Sequence, residues 1–338
     1  MTTITTLSTM QKSHGNRLLI AGQDKEVQRA RQELTTGLKA DVYADGTFRT
    51  AQSLDLRNRL MRADAFATSN KLLSAKLGVM GDAVTSIRRD AQEFLALSVA
   101  FGGRGQGDET LQAQANSLLQ RTMSYLNTVY AGEYLFSGID TNQTSLTLPA
   151  GGFPTGEIAP PGGATEVAAA IAAVDAYFGL GAASGARAAF LDDAYAGSAT
   201  LQSAQIDENA TVAYGITAQD EAMRQLYKGL TMLAKTDVSR MPDGPEYEAW
   251  LAEANGAITK AVAGLQSAEV HLGNTQSEVV RVTEHQSRLS ELYNNRIVDI
   301  EGIDSYEAAT RLEALSAQLE ASYAVTVRLK NLSLLNFL

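Results

Sequence analysis

Apolar residues recur every seventh position across the C-terminal part of the chain. Leu251, Ile258, Leu265, Leu272, Val279, Gln286, Tyr293 and Ile300 form one row, and Ala254, Ala261, Ala268, Thr275, Val282 and Leu289 form an interleaved one. A 3–4 alternation of this length predicts a long helix committed to a narrow seam against another helix. The register fails at Glu301–Asp304, because Ile300 and Leu312 lie twelve residues apart. Asp304 followed by Glu307 predicts a capping-box start, with the Asp carboxylate accepting an orphan N–H of the first turn. A separate last helix, Ser305 to about Leu335, then carries its own seam of Leu312, Leu315, Leu319, Val325, Leu329 and Leu332. Leu335, Phe337 and Leu338 continue the apolar character to the final residue. Termini are usually polar and frayed, so this end is expected to be presented to a partner. These nine residues are the candidate assembly interface.

The N-terminal half mirrors this layout. From Met61, the positions Ala65, Thr68, Leu72, Ala75, Val79, Ala83, Ile87, Phe94, Leu97 and Phe101 predict one face of a helix about 60 Å long. The glycine cluster Gly102–Gly107 breaks it, since Gly is the poorest helix former after Pro. A second amphipathic run passes through Leu111, Ala115, Leu118, Thr122, Tyr125 and Val129 and stops near Gly132. Residues 1–36 are weakly patterned through Val27, Ala30 and Leu34, and the polar stretch Asp41 to Asp45-Gly46 follows them.

The middle differs in kind. Residues 141–205 hold four of the six prolines and no Lys, a composition suited to turns, short strands and a small helix near Glu166–Tyr177. Strand-like stretches at Tyr134–Gly138 and Thr211–Gly215 bound it. Helical pattern resumes at Ala218–Ala234, and after a turn at Met241–Pro245 the long helix starts near Glu246. The expected fold is mainly α, a long antiparallel helical bundle formed by the N- and C-terminal segments, with a mixed, β-containing inserted domain. Three parts are expected. Residues 1–40 plus 305–338 make an inner assembly domain of terminal helices. Residues 41–140 plus 210–304 make the long bundle with short strands, and residues 141–209 a variable outer insert.

Composition narrows the function. The net charge of −10 and pI of about 4.9, with no Lys/Arg block, argue against a nucleic-acid partner held through phosphates. No stretch approaches the roughly 20 apolar residues of a membrane span, and the first residues lack a basic and an apolar signal region. The absence of cysteine excludes disulfides and thiolate chemistry. It is mildly unusual for a cytosolic enzyme, and in a chain exported unfolded it would avoid mispaired disulfides.

Candidate chemistry is sparse. His14, His271 and His285 have no metal-ligand spacing, and residues fourteen apart on one helix lie about four turns from each other. Gly102–Gly107 lacks both GxxxxGK[ST] and GxGxxG and follows a helix rather than a strand, so it reads as a turn. The acid pairs Asp192-Asp193 and Asp207-Glu208 have no EF-hand spacing and read as solvated loops. The triplets Asn142-Gln143-Thr144 and Asn209-Ala210-Thr211 match the glycosylation pattern, which carries meaning only in a eukaryotic secretory setting. No catalytic residue, cofactor or metal is expected.

Three segments resemble a known family. Thr35-Thr36-Gly37-Leu38-Lys39 stands where the bacterial flagellin superfamily has a Ser-Ser-Gly-Lys turn after its first helix. Asn127 to Gly138, with Gly132-Glu133-Tyr134-Leu135-Phe136-Ser137-Gly138, is similar to the Gly-x-Tyr-Leu-Phe-Ser-Gly segment of the superfamily's hook–filament junction branch. Asn331-Leu332-Ser333-Leu334-Leu335-Asn336-Phe337-Leu338 resembles that branch's closing Leu-Ser-Leu-Leu-Asn-aromatic-Leu; flagellins share Leu-Ser-Leu-Leu but usually stop about there. The likeness covers about residues 1–140 and 210–338. The acidic connector Asp41–Gly46 departs from it by lacking the family's proline.

The resemblance implies a non-catalytic structural subunit that joins the hook to the filament by helix-mediated polymerisation. It implies export without a cleaved signal through the type III apparatus to the extracellular flagellum. Its partners would be copies of itself in a ring, the hook-side junction protein, flagellin and a cytoplasmic export chaperone, with no nucleic acid and no membrane. The ends of the monomer would gain structure on assembly, because an isolated amphipathic helix buries too little to offset its ordering entropy. A divergent flagellin, a cytoplasmic coiled-coil scaffold and a hydrolase with a site in the insert are the competing readings.

Overall fold

The structure is a computed structural model that describes residues 3–41, 47–100, 108–147, 153, 164–181, 188–235 and 244–335. Its helices are α1 (Thr3–Thr36), α2 (Thr47–Ala100), α3 (Asp108–Leu126), α4 (Ala164–Phe178), α5 (Ala189–Asp193), α6 (Glu221–Lys235), α7 (Pro245–Glu301) and α8 (Ser305–Leu335). Its strands are β1 (Val129–Tyr130), β2 (Glu133–Tyr134), β3 (Gln202–Asp207) and β4 (Ala210–Tyr214), paired as two antiparallel hairpins. The fold is mainly α, with long packed helices and a small β-containing insert, as the periodicity predicts. The chain forms two compact units: Met1–Ala65 with Gln286–Leu338, and Phe66–His285.

The larger unit is built on α2, α3, α6 and α7. Ser98 Oγ lies 2.7 Å from Asn255 Oδ1, Arg88 Nε donates to Glu269 at 2.7 Å, and Gln276 Nε2 donates to the Ser74 carbonyl at 3.4 Å. Partner numbers rise along α7 as they fall along α2, so the two helices are antiparallel. Leu251, Ile258, Leu265, Leu272, Val279 and Gln286 are buried, as are Ala254, Ala261 and Thr275, so the seven-residue rows mark the packed face of α7 as far as Gln286. Beyond it Leu289, Tyr293 and Ile300 are only half-buried, and Ser290, Ile297 and Glu301 are buried instead. α6 is the most enclosed helix: Met223, Leu226, Tyr227 and Leu230 are fully buried. It approaches α7 closely, because a Cβ on Gly229 would lie 2.5 Å from Ile258 Cγ1. The end of α6 is capped from α3, where the Gln112 and Asn116 amides donate to the Ala234 carbonyl at 3.0 and 3.1 Å.

The predicted face of α2 needs correction. The buried row is Ala63, Ala67, Asn70, Leu73, Leu77, Met80, Val84, Ile87, Ala91, Phe94 and Ser98, whereas Leu72 is 56% exposed and Ala65, Thr68 and Ala75 also face solvent. The expected row took successive four-residue steps through Val79, Ala83 and Ile87, which drift around a helix of 3.6 residues per turn. The true row steps by threes and fours, and the two share only Ile87 and Phe94, with Ala83 buried beside Val84 and Leu97 half-buried. Phe101 and the glycine cluster lie outside the described residues, as do 42–46 and 241–243. α3 ends at Leu126 rather than near Gly132, and Val129 stands half-exposed in β1.

Tyr134–Gly138 also differs from expectation, since only Tyr134 is in a strand. The β1–β2 hairpin turns on Ala131 and Gly132, both at positive φ (53° and 86°), the dihedral signature of a type I′ turn. The next residues form a buried knot. Leu135, Phe136 and Ser137 are almost inaccessible. The carbonyls of residues 136–138 are used in turn: Ala218 N–H donates to Phe136 at 2.9 Å, Ser198 N–H to Ser137 at 2.8 Å and Gln202 Nε2 to Gly138 at 2.8 Å. Gly138 has φ 66° and a Cβ there would lie 2.3 Å from the Ser198 carbonyl. The family-like segment is therefore a structural hub that ties the insert's return strand and the approach to α6 to the hairpin.

The described part of the insert shares this core. Phe153, Phe178, Phe190 and Tyr227 form an aromatic cluster with ring centroids 5.4–6.3 Å apart. Lys228 of α6, 3% exposed, reaches Asp175 of α4 at 2.6 Å and Glu253 of α7 at 2.5 Å. Lys76 of α2 similarly gathers the hairpins, donating to Glu133 at 2.6 Å and to Gln202 Oε1 at 2.7 Å.

In the smaller unit, Ser290 Oγ donates to Asp64 Oδ1 at 2.7 Å. Further along, Arg57 and Ser53 both donate to Glu301, so α2 and α7 are antiparallel here too. α1 and α8 pack as a second pair. Asp304 caps α8 as the sequence predicts, accepting the N–H groups of Tyr306 and Glu307 at 2.8 and 3.2 Å.

Candidate assembly surface

The α1–α8 pair carries the residues singled out for assembly. On α1 the inward row is Asn16, Ile20, Gln23, Val27 and Ala30; on α8 it is Ala308, Leu312, Leu315, Leu319, Ser322 and Thr326. Both rows keep the 3–4 step of a two-helix seam. Burial is graded along it. Val27, Ala30 and Ala308 are 3%, 2% and 7% exposed, whereas Ile20, Leu312, Leu315 and Leu319 are only half-buried. Farther out the row turns polar at Ser322 and Thr326, and a gap of ≈ 280 Å3 opens beside Asn16, Ile20, Gln23 and Ser322. Gln23 Oε1 is buried there without a hydrogen-bond partner, an arrangement that costs free energy.

The predicted seam of α8 is thus right for Leu312, Leu315 and Leu319 and wrong for Val325, which is 55% exposed and off the row. Six residues at about 100° each place Val325 roughly 120° around the helix from Leu319. Leu329, Leu332 and Leu335 lie in the last turns of α8, with side chains outside the described residues; Phe337 and Leu338 are outside them entirely. Leu18, Leu19, Tyr323 and Val327, which are outside the nine expected residues, are between 49% and 66% exposed. The signal was available in the run Leu18-Leu19-Ile20, because one seam absorbs only one of three adjacent apolar residues. Each such leucine leaves about 1.5–3 kcal/mol of burial free energy unrealised.

The candidate chemical residues are dispersed. Among the described residues no three His, Cys, Asp or Glu side chains converge on a metal position, and no helix is long and apolar enough to cross a membrane. Asp192 and Asp193 end the short helix α5. Asp207 and Glu208 sit at the β3–β4 turn, where Asp207 Oδ1 accepts the Glu208 N–H at 2.7 Å.

Comparison with known proteins fits this architecture. Residues 7–141 match the family described as the bacterial flagellin N-terminal helical region, and residues 256–338 the bacterial flagellin C-terminal helical region. A flagellar hook-associated protein from Vibrio parahaemolyticus superposes with a TM-score of 0.54 at 13% identity, over 76% of this chain and 99% of that one. FlgL from Bacillus cereus gives 0.37 at 10% identity over 74% and 99%. Flagellar hook associated protein-3 from Legionella pneumophila gives 0.40 at 11% identity over 80% and 98%. No curated protein sequence matches the chain. The two matched regions cover more than half of the 338 residues and coincide with the two helical arms: the chain belongs to the bacterial flagellin family.

Proposed function

We propose that this chain is a non-catalytic structural subunit of the bacterial flagellum that joins the hook to the filament, the role of hook-associated protein 3. The observation that carries this is the unfinished α1–α8 pair. Its outer half exposes Leu18, Leu19, Tyr323, Val325 and Val327 around a seam that is only half-buried. Apolar side chains that a two-helix seam leaves exposed, Leu19 and Val325 at the edge of its gap among them, are satisfied by further helices, so residues 1–40 and 305–338 act as the polymerising part. The bundle of 41–140 with 210–304 forms the wall, and 141–209 the variable outer lobe. Copies of the chain make a ring, bounded by the hook-side junction protein and by flagellin, and an export chaperone binds the apolar last helix in a helix-in-groove mode. The subunit reaches the extracellular flagellum through the type III route without a cleaved signal.

Disrupting the chain in its own bacterium tests this. The expected result is hooks without filaments, with flagellin released to the medium; intact filaments would overturn the proposal. A filament subunit is the second reading, favoured by the match to flagellin helical regions, and copy number separates the two. A filament subunit dominates sheared filaments, whereas a junction subunit is a trace component of them.

A further inference from the structure

Glu301, the last residue of α7, binds two other segments at once. Its main-chain carbonyl accepts the Lys39 N–H at 2.8 Å, in the connector that leaves α1. Its carboxylate, 2% exposed, accepts from Arg57 Nε at 2.9 Å, from a second Arg57 nitrogen and from the Ser53 hydroxyl, both on α2. The two connectors are also joined directly: Ile303 N–H donates to the Gly37 carbonyl at 3.1 Å, and Leu38 and Gly302 form an antiparallel bridge. The exit of α1 and the entry to α8 are therefore one two-stranded clamp rather than two separate links. A Cβ on Gly302 would lie 2.4 Å from the Val298 carbonyl, so the clamp sits tight on the last turn of α7. A cleft of ≈ 450 Å3 lies between α1 and the start of α8 where they meet the clamp, lined by Glu26, Arg29, Glu33, Asp304, Glu307 and Arg311.

We infer that Glu301 is the latch of a coupled joint that holds the α1–α8 pair, as one body, in a fixed orientation on α2 and α7. The clamp fixes α1 and α8 to each other, and the Glu301 carboxylate fixes the clamp to α2. Releasing the carboxylate removes one contact from the end of the α2–α7 seam but leaves Ser290–Asp64 and the α1–α8 seam in place, so both helix pairs stay folded. A buried carboxylate serves such a latch well: while paired it is rigid, and its geometry is directional through the forked guanidinium. Hinges are a few element-terminal residues that absorb backbone rotation, and residues 301–303 occupy that position. This inference goes beyond the assembly role and does not depend on it.

The cysteine-free sequence makes the test clean. Spin-label pairs are placed in the full chain through R31C on α1, A317C on α8 and N58C on α2, two at a time, and distance distributions are measured in the monomer. The expected result for Glu301→Gln is at least a twofold widening of both distances to Asn58, with the 31–317 distance unchanged and helicity by circular dichroism retained. Arg57→Gln, on an exposed side chain that tolerates replacement, must widen the same two distances. Unchanged widths in both variants, widening of only one of the two distances to Asn58, widening of 31–317, or disagreement between the two variants would each overturn the inference.

Discussion

Lys228 Nζ lies 2.6 Å from Asp175 Oδ1, and that contact fastens the insert helix α4 to the buried helix α6. The ammonium also meets Glu253 Oε1 at 2.5 Å, and the two carboxylates are 23% and 35% exposed against 3% for the lysine. The cost of burial therefore falls on the lysine, while its partners keep contact with water.

That asymmetry fixes the order of three variants. Lys228→Met keeps the stem's packing and leaves two carboxylates that water can solvate, so the expected loss is about 1–2 kcal/mol. Asp175→Ala leaves Glu253 in place and costs a similar amount. Asp175→Ala with Glu253→Ala strands a buried ammonium and costs about 3–5 kcal/mol. Urea unfolding of the three proteins checks the order; a double variant no worse than Lys228→Met would show that the pairing is not structural.

The hub at Leu135–Gly138 gives a second prediction. Gly138→Ala combines a left-handed backbone with a 2.3 Å approach to the Ser198 carbonyl. The expected destabilisation exceeds about 1 kcal/mol. Gly132→Ala has the same sign of φ but open space around the new methyl, and should cost less. Thermal melts of the two variants, compared with each other, test whether contact rather than backbone angle dominates at Gly138.

How far these features are legible in the sequence depends on how many partners a helix has. α7 meets its neighbours along one face as far as Gln286, so the rows through Leu251 and Ala254 are clean there; beyond it the buried positions shift to Ser290, Ile297 and Glu301. α2 is harder, because Leu72 and Leu73 are adjacent and both extend plausible rows. Only contact with α7 decides that Leu73 goes inward. The seam of α8 was obscured where it turns to Ser322 and Thr326, since a polar residue facing a half-wet groove leaves no hydropathy signal. Glu301 was visible only as the place where the heptads fail. Its partners Ser53 and Arg57 lie more than two hundred residues away, and no local pattern links them.

Acid should act on that ion pair. Hydrogen bonds from Arg57, assisted by Ser53, hold the Glu301 carboxyl below the usual carboxylate range despite its burial. A folded-state value below the unfolded one means the stabilisation is complete above the unfolded value of 4.5. It is lost as pH falls through the folded value. Wild type and Glu301→Gln should therefore differ in unfolding midpoint at neutral pH and converge as pH falls below 4.5 and through the folded-state value. A difference that stays constant across this range would remove Glu301 from the acid response.

At the alkaline end the phenols dominate. Burial pushes Tyr195 up to about 12 and Tyr227 well above its ordinary value of 10.0. Phenols raised in the folded state contribute stability that is complete below the unfolded value near 10.0 and lost as pH rises past it. Tyr227→Phe gives up the hydrogen bond to the Ala218 carbonyl, 3.1 Å long, at a cost of about 1 kcal/mol at neutral pH. Its loss of stability with rising pH should be shallower than that of wild type, as read by circular dichroism alongside tyrosinate absorbance.

The α1–α8 pair allows packing within the monomer to be separated from assembly, because the two uses fall on different faces of the same helix. Leu315 is on the inward row and half-buried, whereas Val325 and Val327 are 55% and 57% exposed. Leu315→Asp places a charge in the seam and should loosen α8 from α1, lowering helicity at the ends of the chain. Val325→Asp with Val327→Asp changes only surface residues of the monomer, so its unfolding free energy should stay within about 0.5 kcal/mol of wild type for each substitution. Its polymerisation should nevertheless fall, since each valine is available to be buried in the assembly for about 1.5 kcal/mol or more. Sedimentation of the polymerised fraction, set beside urea unfolding of the same protein, reads both effects. Unimpaired polymerisation of the double variant would place the assembly contact elsewhere on α8, and impaired folding would mean that these valines already have partners within the chain.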